Sequence, residues 1–144
     1  MAASVIVDRK TQISQACQSG EEFARIYYEK FDKQRHLISN LYEQSGNVVW
    51  NGNYVTGREN IGKFFQNLPA SESDLLSLDA QPILDEFVQG QTTILVHAAG
   101  NIKFSGKNRC KFSESFLLTA KQGNDGSVWR VVSDTFRFHE PLPT

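Results

Sequence analysis

With 15 Lys and Arg against 16 Asp and Glu, the 144-residue chain has a net charge of -1 and no global field that would draw nucleic acid or an anionic membrane. Apolar residues at 40% and charged residues at 22% are globular proportions, which exclude a disordered or membrane-spanning class and leave one domain with one core over 1–144. Cys17 and Cys110 lack CxxC or zinc-type spacing and Met1 to Val5 lack the pattern of a secretory leader, so neither metal, cofactor nor disulfide is expected.

After a short flexible start over about residues 1–8, the apolar positions Ile13, Ala16, Cys17, Gly20, Ala24, Tyr27, Tyr28 and Phe31 recur at helical steps. They predict a long first helix with one buried stripe. Gly20 on that stripe is explained by close packing against a neighbour. Asp32 is placed to cap a short second helix, with Leu37, Ile38, Leu41 and Tyr42 as its apolar face. Val48 to Trp50 and Tyr54 to Thr56 then flank Asn51-Gly52-Asn53, whose Asn-Gly step accepts positive φ and predicts a tight hairpin. Thr56-Gly57-Arg58-Glu59 has capping-box spacing for a third helix, with Ile61, Phe64, Phe65 and Leu68 inward and Pro69 as its stop.

Beyond a polar loop at Ser71 to Asp74 the helical period ends, and four long strands follow, over 75–88, 91–104, 110–120 and 128–139. Turns at 89–90, 105–108 and 123–126 make them sequential antiparallel hairpins, and a short flexible tail covers about 140–144. Pro82 cannot donate to a ladder, so it marks an edge, a bend or a bulge, and a bulge would reverse the parity after it. The fold class is α+β, three helices on one side of a strongly curved antiparallel sheet.

The other side of that sheet is unusual. Ile94, Val96, Ala98, Ile102 and Phe104 suit the helices, while Thr93, Leu95, His97, Ala99, Asn101 and Lys103 form a second face of small polar and apolar residues. Ser77, Asp79, Gln81 and Ile83 on the first long strand repeat that mixture, as do Trp129, Val131, Ser133, Thr135 and Arg137 on the last. An apolar centre with few charges is the composition of a protein–protein interface, so Asp79, Gln81, Leu95, His97, Thr135 and Arg137 are the candidate contact residues.

Trp50-Asn51-Gly52-Asn53, Asp79-Ala80-Gln81-Pro82-Ile83, Gln91 to Val96 and Ser133-Asp134-Thr135-Phe136-Arg137-Phe138 together resemble the nuclear transport factor 2-related export proteins, the small subunit of the TAP-type mRNA export receptor. The resemblance implies a nuclear transport factor 2-like cone that pairs face to face with the homologous domain of the large receptor, with Asp79 and Arg137 in charged contacts. It further implies a non-catalytic role in mRNA export, shuttling between nucleus and cytoplasm, nuclear pore association, and Phe-Gly nucleoporins met through the complex, without direct nucleic acid or membrane binding. The rival within the same fold is a homodimeric transport factor that binds a small GTPase and Phe-Gly nucleoporins.

The cone also resembles the scaffold of small enzymes such as ketosteroid isomerases, which makes the fold alone indecisive. Glu114 and Asp134 are a candidate acid pair, with Tyr27 or Tyr28 as hydrogen-bond donor and Arg130 as a candidate ion-pair partner of Asp134. Structural acids and a packed or interfacial His97 outweigh catalysis. Lys103, Lys107, Arg109 and Lys111 surround one turn and are expected to be solvated.

Overall fold

The computed structural model describes residues 9–83, 92–123 and 126–139. Helix α1 spans Arg9–Lys33, and a 3-10 helix covers Arg35–Leu41. Strands β1 (Tyr42–Trp50) and β2 (Asn53–Thr56) precede α2 (Arg58–Gln66), and β3 (Ser71–Ile83), β4 (Thr92–Phe104), β5 (Cys110–Gly123) and β6 (Gly126–His139) complete the chain. The six strands form one sheet in the order β2-β1-β6-β5-β4-β3. The β3 to β6 pairings are antiparallel as expected, but β1 runs parallel to β6, so the sheet is mixed. A chain that leaves β1 through α2 and three further strands can return beside it in either direction, and local sequence does not specify which.

α1 lies on the inner side of β3 and β4. A Cβ on Gly20 would collide with the Ala80 side chain and crowd Val96, so glycine is what lets the helix approach the sheet. The buried stripe holds from Phe23 to Phe31, whereas Ile13 is exposed. Around it, Trp50 stacks on Phe136 with ring centroids 3.8 Å apart, and Phe31, Phe65, Phe104 and Phe112 extend the aromatic core. The tight hairpin forms as expected: Trp50 pairs with Asn53, and Asn51 and Gly52 both have positive φ.

Several local expectations fail for identifiable reasons. The second helix is a 3-10 turn without a side-chain cap, because Asp32 instead accepts bonds from the hydroxyls of Ser71 and Ser73 and the Ser73 amide, at 2.7–2.9 Å. Those bonds draw Ser71 to Asp74 into β3 instead of a loop. Tyr42 opens β1. At α2 the capping box does not form: Gly57, with φ 92°, takes the N-cap position, Asn60 bonds the Thr56 carbonyl, and Glu59 pairs with Lys63 at 3.4 Å.

Pro82 sits on an edge strand without a register break. The breaks fall elsewhere, between Leu75 and Ser77 in β3, opposite Leu117 and Leu118 in β6, where Val132 is the extra residue, and between Tyr42 and Asn47 in β1. Gly100 accommodates the first, since a Cβ there would run into the Asp74 carbonyl. The second reverses parity in β6, so Val131 is buried inward while Ser133, Thr135 and Arg137 stay outward. The flexible ends over 1–8 and 140–144, the 89–90 turn and the strand continuation past Ile83 lie outside the described residues.

Candidate functional site: the outward sheet face

Side chains of paired strands that are Cα partners point to the same side, so the register writes out the outward face row by row. Ser77, Ala99, Ser113 and Arg137 form one row. Asp79, His97, Ser115, Thr135, Val49 and Tyr54 form the next, across all six strands. Gln81, Leu95, Leu117, Ser133, Asn47 and Thr56 form the third. All six sequence-derived candidates therefore fall on one face and in adjacent rows.

Asp79, Gln81, His97, Thr135 and Arg137 are exposed, and Leu95, Ala99, Ser113, Ser115, Leu117 and Ser133 are half-buried. The face thus has an apolar middle at Leu95 and Leu117 inside a polar frame, the layout of an interface core and rim. Two histidines are tied across strands to serines, His97 Nδ1 to Ser115 at 2.7 Å and His139 Nε2 to Ser113 at 2.8 Å. Such bonds hold the rims in one conformation, which lowers the ordering cost of docking. Asp79 and Arg137 stand three strands and one row apart, roughly 15 Å by standard sheet spacings. Among the described residues neither has an ion-pair partner within the chain. Leu117, Val49 and Tyr54 were not candidates from sequence; alternation along β5 supplies the first, but β1 and β2 join this face only through the parallel pairing.

The second candidate group assembles in the core. Glu114 is 2% exposed and Asp134 0%. Tyr28 donates to Glu114 Oε1 at 2.7 Å, Tyr42 donates to Asp134 Oδ2, and the Tyr27 hydroxyl lies 2.8 Å from that of Tyr42. Burial, then the neighbouring Asp134 charge, pushes Glu114 well above the usual carboxyl range. Burial also raises Asp134 to about 6, against the lowering effect of bonds from Glu114, Tyr42 and Tyr27. Tyr42 is the member sequence reasoning missed, because it was assigned to a helix. Arg130 is not on the side of Asp134, since the Val132 bulge turns it outward, and the expected ion pair is absent.

A hollow of about 220 Å³ lies between the segment that follows α2 and the β4–β5 turn, lined by Trp50, Leu68, Ile102, Phe104 and Phe138 with Lys107 and Cys110. It contains neither acid, so the acid pair does not open into it. Among the described residues no three His, Cys, Asp or Glu side chains are arranged to hold a metal ion, and no helix is long and apolar enough to cross a membrane.

The family profile of the nuclear transport factor 2 (NTF2) domain matches residues 19–138. The chain belongs to the NTF2 domain family. NTF2-related export protein 1 of Bos taurus is 44% identical over 134 residues, covering 93% of this chain and 96% of that protein. NTF2-related export protein 2 of Mus musculus is 44% identical over 137 residues, covering 95% and 96%. Nuclear transport factor 2 from Cryptosporidium parvum has the same fold, with a TM-score of 0.72 at 22% identity, over 93% of this chain and all of that one. Sequence kinship this extensive places this chain among proteins named for nuclear export.

Proposed function

We propose that this chain is the non-catalytic small subunit of an mRNA export receptor, and that its outward sheet face is covered by the NTF2-like domain of a large TAP-type receptor. The observation that carries the reading is the face itself: half-buried Leu95 and Leu117 framed by exposed Asp79 and Arg137 that lack ion-pair partners within the chain among the described residues. The export names of relatives 44% identical support the process. A homologous partner presents a sheet of the same curvature, so two such faces bury apolar area of the obligate class, on the order of 2,000 Å² or more. Asp79 and Arg137 set the register of the two sheets. The heterodimer moves between nucleus and cytoplasm and meets Phe-Gly nucleoporins at the pore as a complex.

Two features support the absence of catalysis. A general acid or base must reach a substrate atom, and Glu114 and Asp134 are enclosed by Tyr27, Tyr28, Tyr42 and Phe116. The apolar hollow near Trp50 offers no carboxylate or histidine. The test is charge reversal. Asp79→Arg and Arg137→Asp leave the circular dichroism of the isolated chain unchanged but cost about 2–5 kcal/mol of binding to the receptor domain, the stranded partner charge included. Undiminished capture by both variants contradicts the assignment.

A further inference from the structure

Among the described residues the buried acids Glu114 and Asp134 have no cation to answer them. Their neighbours are Tyr27 and Tyr28 from α1 and Tyr42 from β1, and the facing register positions on β4 are Val96 and Ala98. Arg35 spends its guanidinium on the carbonyls of Phe31, Phe65, Leu68 and Pro69 and on Ser71, and Arg58 donates to the Tyr42 carbonyl. Among the described residues neither acid has an ion pair.

Three buried side-chain atoms have no hydrogen-bond partner among the described residues: Arg130 Nε, on a residue turned to the other side of β6, and one oxygen of each acid. Glu114 Oε1 and Asp134 Oδ2 accept from tyrosines, but Glu114 Oε2 and Asp134 Oδ1 are buried and have no partner among the described residues. Glu114 is the Cα partner of Phe136 and Asp134 that of Phe116, so the two acids are diagonal neighbours on the inner side of adjacent strands, a spacing that long side chains bridge. Ionised together they leave two orphaned oxygens and a like-charge repulsion in a site without counter-charge among the described residues, both of them destabilising. One proton removes both: carried on Glu114 Oε2, it is donated to Asp134 Oδ1, and all four oxygens are satisfied.

We propose that Glu114 and Asp134 form a binding site for a single shared proton, carried by Glu114 and clamped by Tyr28 on one side and by Tyr42 and Tyr27 on the other. The site lies between the strand positions of the outward face, Glu114 between Ser113 and Ser115 and Asp134 between Ser133 and Thr135. Loss of the proton strains β5 and β6 together. The site is independent of what covers that face.

Both carboxyls are raised above their unfolded values, so the folded chain holds a proton that the unfolded chain releases. Stability from this site is complete below about pH 4 and declines as pH rises, through the value of about 6 for Asp134 and through the raised range of Glu114. Glu114→Gln supplies an acceptor for Tyr28 and an amide donor for Asp134 without a titrating proton. Melting temperatures of the full chain and of Glu114→Gln are compared between about pH 4.5 and about pH 8.5. The wild type is expected to lose melting temperature relative to the variant, by a gap that widens with pH; parallel profiles overturn the proposal. Should Glu114→Gln fail to fold, the wild type alone decides. Its infrared spectrum at about pH 7, where free carboxyls are ionised, is expected to retain a protonated-carboxyl C=O band. A spectrum without that band overturns the shared proton.

Discussion

Leu95 on β4 and Leu117 on β5 are Cα partners on the outward face, and both are half-buried. An apolar pair in that position has its full value only when a second surface removes it from water. Leu117→Lys is therefore expected to leave the melting temperature of the isolated chain nearly unchanged while weakening capture of the receptor domain by about 2 kcal/mol or more. Calorimetric titration of the partner measures it, and equal affinity would count against the face.

Gly20→Ala tests how α1 is seated. The added methyl meets Ala80 on β3, an overpacking that generally costs about 1–3 kcal/mol. Thermal unfolding is expected to show the loss, and the double variant with Ala80→Gly to recover part of it. Additive losses would mean the helix is not held at that contact.

Tyr42→Phe removes the stronger donor to Asp134 and the partner of the Tyr27 hydroxyl, leaving Asp134 Oδ2 with Tyr27 at 3.5 Å. The expected loss is about 1–3 kcal/mol. Because the Tyr42 bond lowers the Asp134 pKa, its removal carries that pKa further above the unfolded value. The penalty is therefore small below about pH 4 and grows as pH rises through about 6, which denaturant titrations at several pH values resolve.

Asp32→Ala tests the contact that converts an expected loop into strand. It removes three bonds to Ser71 and Ser73, and the Ser73 amide loses its carboxylate partner. Faster hydrogen exchange at the start of β3, with a loss of about 1–3 kcal/mol, is expected. Unaltered exchange at Ser73 would refute that role for Asp32.

Much of the fold is legible in the sequence because its signals are local. The Asn51-Gly52 hairpin needs only a pair that tolerates positive φ, and the alternation of Ile94, Val96 and Ala98 with Leu95, His97 and Ala99 fixes both faces of β4. Asp79 and Arg137 reach the outward face by the same alternation. What fails is decided at long range. Asp32 sits at a plausible cap position but is claimed by serines some forty positions later, and Thr56 loses its capping role to Gly57. The Val132 bulge carries no signature in its own residues, although it alone separates inward Val131 from outward Ser133. The parallel pairing of β1 with β6, which brings Tyr42 to Asp134 and Val49 to Thr135, is equally invisible to periodicity.

Native mass spectrometry tests the proposed partnership most directly, first on the pure chain and then with the NTF2-like domain of a large TAP-type receptor added. A one-to-one heterodimer that forms with the wild type and disappears with Arg137→Asp is the predicted result. A stable homodimer that ignores the added domain would contradict it.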